Sequence, residues 1–245
     1  MSIRTTVSRW LNLKIDQVPL GLSRRTITSS ELPYSLHTTS LEEIASGFGS
    51  ILLSIPGSQI ARTRSMVLPL TDLLSVTAIC AARLPKRVFE IGTFTGSTTL
   101  LMALNTSDDT KLFTLDLEPR EFPKSLLNSD GKPMYEAGSL FHEEPIAAKI
   151  TQLYGRSDCF DFSSYFGTID LVYIDAEHSR EAVLRDSENA MKMLSLGGMI
   201  IWDDYRWLPE HSECIGVTHA LNELSEKWNI RQLSNTRLAI FVNES

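Results

Sequence analysis

The chain has 245 residues, of which 42% are hydrophobic, enough for one α/β domain with a sizeable core plus an N-terminal addition. Its net charge of −7 argues against nucleic acid as the main partner, because neutralising phosphates needs a basic surface. The longest apolar run near the start, Ile51-Leu52-Leu53, is too short for a membrane span, and no signal-peptide core is visible. Cys80, Cys159 and Cys214 are odd in number and show no metal-ligand spacing, so the expected location is the reducing cytoplasm with no membrane partner.

Residues 1–64 read as an extension or pocket cover. Trp10, Leu11, Leu13 and Ile15 suggest a weak amphipathic piece, and Ser46 to Ser58 is a Gly/Ser-rich loop. The domain proper is expected over 65–245. An apolar helix from Leu70 to Arg83 is stopped by Pro85. Val88, Phe89 and Ile91 then give the short apolar run of a parallel strand. Gly92 and Gly96 allow a tight turn and close approach to a ligand. Ser97, Thr98 and Thr99 open a helix through Leu104, and a helix start favours an anionic group. A dinucleotide turn wants G-x-G-x-x-G, whereas the spacing here is G-x-x-x-G. Glu90 would also repel a pyrophosphate and attract a cationic amino-acid moiety, which disfavours a nicotinamide cofactor.

Lys111 to Asp116 is a second strand ending in a carboxylate, placed to accept hydrogen bonds from ribose hydroxyls or to be a solvated turn acid. Residues 119–145 are turn-rich and read as a mobile lid, with disordered decoration as the alternative. Ile150 to Gly155 is a third strand, after which Ser157 and Asp158 can meet an adenine edge or cap a helix around Phe160 to Phe166. Thr168 to Ile174 is a fourth strand that delivers Asp175, Glu177 and His178. The helix from Ser179 to Leu194 carries a Glu181–Arg185 pair and ends in a left-handed cap at Gly197-Gly198. Met199 to Tyr205 is a fifth strand ending in Asp203 and Asp204. A helix over about Gly216 to Lys227 leads to strand-like runs Trp228–Leu233 and Arg237–Val242 around a Ser234-Asn235-Thr236 turn. Five strands with polar ends on one edge point to a ligand outside the carboxyl ends of the sheet.

The run Glu90-Ile91-Gly92-Thr93-Phe94-Thr95-Gly96 resembles motif I of class I S-adenosylmethionine-dependent methyltransferases. From Ser65 to Phe241 the chain resembles methyltransferase family 24, related to the catechol O-methyltransferase group and to metal-dependent sugar O-methyltransferases of antibiotic pathways. The resemblance implies an α/β, Rossmann-like doubly wound sheet of seven strands, the last antiparallel, with an N-terminal extension. It implies S-adenosylmethionine held by Glu90, Gly92, Thr93, Gly96, Thr98, Asp116, Ser157, Asp158 and Asp175. It places Mg²⁺ on Asp175, Asp203 and Asp204, where the catechol group has Asp-Asn at the last two positions. Converging carboxylates repel, and a hard divalent cation relieves this. The alternative is that Asp203 or Asp204 caps the next segment. His178 corresponds to the catechol group's general-base lysine, and Glu177 is a rival base. Tyr205 and Trp207 are candidates for pocket walls or for packing. In related enzymes the N-terminal segment covers the pocket or pairs subunits, so a homo-oligomer is an expectation.

The activity implied is O-methylation of a small hydroxylated molecule, a sugar or natural product. The alternatives are a metal-independent methyltransferase and a non-catalytic S-adenosylmethionine-binding protein.

Overall fold

The structure is a computed structural model that describes residues 10–11, 36–45, 53–56, 69–205 and 214–244. The N-terminal extension contributes β1 (Trp10–Leu11), β2 (His37–Thr39), α1 (Leu41–Ile44) and β3 (Ile55–Pro56), with β1 antiparallel to β3. Leu13, Ile15 and most of 46–58 lie outside the described residues. Leu53 and Ile55 are nevertheless fully buried in the main core, so part of the expected Gly/Ser loop is structural packing.

The remaining elements are α2 (Leu70–Arg83), β4 (Arg87–Ile91), α3 (Ser97–Leu104), β5 (Lys111–Asp116), β6 (Ile150–Tyr154), β7 (Ile169–Ile174), α4 (Arg180–Met193), β8 (Leu194–Trp202), α5 (Ile215–Leu224), β9 (Arg231–Leu233) and β10 (Ala239–Val242). They form a sheet of order β2-β9-β10-β8-β7-β4-β5-β6. Strands β4 to β8 run parallel, and β10 is antiparallel to both β8 and β9. The seven expected strands are present with the last one antiparallel. The eighth, β2, comes from the extension and adds in parallel to β9. Three residues without alternation gave no strand pattern to read.

Side-chain alternation explains the layers. Phe89, Ile91, Val172, Ile174, Ile200 and Trp202 point to the face covered by α4 and α5. Val88, Leu171, Tyr173, Met199 and Ile201 point to the other face, covered by α2 and α3. Both faces are dry, which is why these strands read as nearly continuous apolar runs. Each large apolar side chain so buried contributes about 1.5–3 kcal/mol. Helix α2 ends where Leu84 turns left-handed at φ 48°, followed by Pro85, as expected.

Three local expectations are corrected. Helix α4 ends at Met193 and Leu194 is already extended. Gly197, at φ +76°, turns within β8, where its N–H donates to Asn243 O at 2.7 Å; it caps no helix. No helix forms over 160–166 beyond one 3₁₀ turn at Ser163–Tyr165, and Asp161, not Ser157 or Asp158, accepts from Ser163 N at 2.9 Å. Arg180, not Arg185, pairs with Glu181, at 3.2 Å. Among the described residues no helix is long and apolar enough to cross a membrane.

Candidate active site

The turn from β4 to α3 has little conformational choice. Gly92 sits at φ +103°, and a Cβ there would lie 2.0 Å from the Asp175 carbonyl oxygen. Only glycine fits, and the close approach ties this turn to the end of β7. Gly96, at φ +84°, begins α3 with no side-chain cap, so the helix's first amides look to other partners. A Cβ at Gly96 would meet the Phe141 ring at 2.5 Å, so the close neighbour on that side is residue 141 of the long loop. Thr98 is half-buried in the first turn of α3.

Glu90 is buried in the middle of the sheet. The hydroxyls of Thr99 and Thr114 donate to its Oε2, while Oε1 has no partner among the described residues. Burial pushes its carboxyl up to about 8, against the two hydroxyls that lower it. A cationic group reaching Oε1 would favour the charged form. Thr93 turns inward: its hydroxyl shares a 2.6 Å hydrogen bond with Thr114 and accepts from Gln152 Nε2 at 3.0 Å.

Asp116 is held by three donors. Its Oδ2 accepts from Phe94 N at 2.6 Å; its Oδ1 accepts from Leu117 N at 2.7 Å and from the Tyr135 hydroxyl at 3.2 Å. Burial raises its pKa against these donors. Burial, then the charge of Asp116, pushes the Tyr135 phenol upward, so it stays protonated and donates. The Tyr135 ring packs between Phe94 (4.5 Å) and Phe122 (4.8 Å). Gly138 N donates to Phe94 O and Leu140 N to Thr95 O, each at 3.0 Å. The 119–145 segment is therefore fastened across the mouth of the turn.

Ser157 and Asp158 follow β6 in a loop whose Gly155 N donates to Asp116 O at 2.9 Å. Asp158 is exposed and paired with Arg156, which holds its carboxyl down to about 2. Ser157 lies beside the buried Asp186 of α4.

The second centre is acidic. Asp175, Asp203 and Asp204 each offer an oxygen within 4.8 Å of the others, and His178, Asp204 and the Cys214 thiol likewise bring one ligand atom each within 4.8 Å. His178 Nε2 lies 3.7 Å from Asp175 Oδ1 and 3.4 Å from Asp204 Oδ2. Glu177 is exposed and accepts from the Ser179 hydroxyl at 2.7 Å, at the start of α4. Of the two rival bases, His178 is the one that faces the acids. Arg237 enters from the turn before β10. Its Nη1 donates to Asp204 Oδ1 at 2.7 Å, its Nη2 to Asp203 Oδ2 at 3.1 Å and its Nε to Asp72 Oδ2 at 2.9 Å. Burial, then the charges of Asp175 and Asp204, raises the Asp203 carboxyl well above its usual range; Arg237 opposes this.

Sequence reasoning missed Asp72, Arg237, Cys214 and Tyr135. An acid inside the apolar α2 pattern was the one readable signal. Cys214 is brought in because a Cβ at Gly216 would lie 2.2 Å from His178 O, so α5 starts directly against the His178 backbone. Tyr205 packs: it is buried and donates to Asn222 Oδ1 at 2.6 Å. Trp207 lies outside the described residues.

Residues 89–205 match the family described as a methyltransferase domain. Caffeoyl-CoA O-methyltransferase 2 of Petunia hybrida is 25% identical over 127 residues, covering 50% of this chain and 47% of that protein. Caffeoyl-CoA O-methyltransferase 2 of Eucalyptus globulus is 26% identical over 127 residues, covering 50% and 46%. The chain thus spans about half the length of the curated relatives it matches. The Podospora anserina methyltransferase PaMTH1, solved with S-adenosylhomocysteine, superposes with a TM-score of 0.58 at 18% identity over 77% of this chain and 88% of that one. The O-methyltransferase TomG of Streptomyces achromogenes, solved with S-adenosylmethionine, gives 0.56 at 16% identity over 78% and 92%. At these identities the structural likeness is one of fold.

Proposed function

We propose that this chain, whose residues 89–205 are a class I S-adenosylmethionine-dependent methyltransferase domain, moves the methyl group of S-adenosylmethionine to a hydroxyl of a small molecule such as a sugar or natural product. One observation carries the reading. The β4–α3 turn and the Asp175–His178 loop touch through backbone at Gly92, so a donor on the turn and a hydroxyl beside His178 would be neighbours.

Each residue then has a role. Glu90 Oε1, an unpartnered buried oxygen at the turn, receives the ammonium of the methionine moiety. Asp116 accepts from the ribose hydroxyls once Tyr135 yields its place, and the 119–145 segment opens and recloses as a cover. Asp158 meets the adenine edge. The acceptor hydroxyl lies against Asp204 and His178. His178 takes its proton as the C–O bond forms and the C–S bond of the sulfonium breaks. Asp175 and Asp204, 3.7 and 3.4 Å from His178, hold the imidazole in place. Packing of Phe94, Tyr135 and Phe122 keeps water from the donor.

The same oxygens suit a hard divalent cation such as Mg²⁺, because all are carboxylates within 4.8 Å of one another. Asp175 and Asp204, with Asp203 behind them, would hold it, and it would lower the pKa of a bound hydroxyl. Titration calorimetry of S-adenosylhomocysteine, with and without Mg²⁺ after EDTA treatment, tests the proposal. Binding followed by methyl transfer to hydroxylated acceptors supports it; no binding in either condition rejects it.

A further inference from the structure

We propose that Arg237 is a built-in counter-cation of the acidic centre, a positioning residue that stands in for much of the charge a divalent metal would supply. This rests on reading Asp175, Asp203 and Asp204 as the donors such a metal would use.

The guanidinium satisfies three carboxylates from two different parts of the chain. Asp72 comes from α2, and Asp203 and Asp204 come from the end of β8. The three contacts, at 2.9, 3.1 and 2.7 Å, use three different nitrogens. A planar fork with fixed N–H directions can do this; a lysine ammonium cannot reach all three in the same geometry. Arg237 is also fixed by its backbone, because its carbonyl accepts from Tyr205 N at 2.8 Å.

Most of the carboxylate oxygens at the centre are already engaged. Asp203 Oδ2 is taken by Arg237, and Asp203 Oδ1 accepts from Asp204 N at 2.7 Å. Asp204 Oδ1 is taken by Arg237. Asp204 Oδ2 and Asp175 Oδ1 both face His178. A divalent cation entering here meets Asp204 Oδ2 and the two oxygens of Asp175 instead of a full carboxylate set, and a positive guanidinium behind them. Two consequences follow. The centre keeps its shape without metal, and its affinity for divalent cations is low.

The test uses Mn²⁺ as probe on the full chain, for wild type, Arg237→Met and Arg237→Lys, all stripped with EDTA. Free Mn²⁺ is followed by electron paramagnetic resonance, and melting temperature is measured with and without Mn²⁺. Arg237→Met is expected to bind Mn²⁺ at least about tenfold more tightly than wild type, equivalent to about 1.4 kcal/mol. Its melting temperature should rise with Mn²⁺ while that of wild type stays put, and Arg237→Lys should fall between them. If Arg237→Met folds only when Mn²⁺ is supplied, that also supports the inference. Wild type binding Mn²⁺ as tightly as Arg237→Met overturns it. If Arg237→Met cannot be recovered under any condition, a large Mn²⁺-dependent rise in the wild-type melting temperature overturns it, and no rise supports it. S-adenosylhomocysteine titrated into the same wild-type sample separates the two readings. Its failure to bind would sink the methyltransferase proposal and leave the Mn²⁺ result to judge Arg237.

Discussion

Tyr135→Phe is expected to tighten cofactor binding. The Tyr135 hydroxyl donates to Asp116 Oδ1 at 3.2 Å, on the carboxylate proposed to hold the ribose. A ribose hydroxyl must displace it. Hydrogen bonds to a charged group contribute about 1.5–3 kcal/mol, and 3.2 Å is longer than the usual O–H···O range of about 2.5–3.0 Å, so a value below the lower end applies, about 0.7–1.4 kcal/mol. Phenylalanine keeps the ring between Phe94 and Phe122, so the cover still packs. Asp116 keeps the amides of Phe94 and Leu117, so no buried oxygen is orphaned. Removing the competitor should lower the dissociation constant of S-adenosylhomocysteine about three- to tenfold, at roughly 1.4 kcal/mol per factor of ten. Calorimetry near neutral pH reads this directly. In an Asp116→Asn background the gain should vanish, because both changes act on one contact. An unchanged or weaker affinity for Tyr135→Phe would refute the competition, and a gain that persists in the Asp116→Asn background would place its origin elsewhere.

Gly92→Ala should abolish cofactor binding and lower the melting temperature: the left-handed backbone costs alanine about 1–2 kcal/mol before the 2.0 Å clash with Asp175 O is counted. Asp204→Ala should leave S-adenosylhomocysteine binding largely intact while methyl transfer falls by up to about 10²- to 10⁴-fold, the range for a lost general base, because His178 loses the carboxylate 3.4 Å away that holds it in place; full activity would remove Asp204 from the mechanism. Asp186→Asn should stabilise the fold at neutral pH. Burial pushes the Asp186 carboxyl up to about 6 from 3.8, so the folded state prefers it protonated and loses up to about 3 kcal/mol as pH rises from below 3.8 through 6. The Asn variant's gain in urea midpoint should therefore be present above pH 6 and fade towards pH 3.8; a pH-independent gain would assign it to packing.

The sheet was legible because the central parallel strands β4 and β7 are buried on both faces and polar residues gather at the carboxyl ends of the parallel strands. Val88-Phe89 and Leu171-Val172 announce the strands, and Asp116, Asp175 and Asp203 mark their carboxyl ends. The motif turn was legible because its backbone leaves no substitute for Gly92. What could not be read were the partners that cross between elements. Tyr135 lies 19 residues from Asp116 in a loop without periodicity, and Arg237 lies 165 residues from Asp72. A charge at the start of a strand looks like a solvated turn residue, and an aspartate inside an apolar helix looks like a tolerated exception.

Yet one of these contacts follows from the topology itself. With β10 antiparallel to β8, Ala239 pairs with Trp202 and Ile240 with Ile201. Continuing that register by two residues sets Arg237 opposite Asp204, just past the end of β8. The hydrogen bond from Tyr205 N to Arg237 O, at 2.8 Å, continues the same ladder. The antiparallel last strand therefore does more than close the sheet. Its direction brings the residues before β10 to the carboxyl edge, the edge where all the parallel strands deliver their acids. A basic residue two positions before such a strand is thus placed to neutralise the acids that follow β8. By the same geometry, a small or neutral residue there would leave those acids to a metal. The residue at this register position is then what separates a centre that carries its own cation from one that must recruit it.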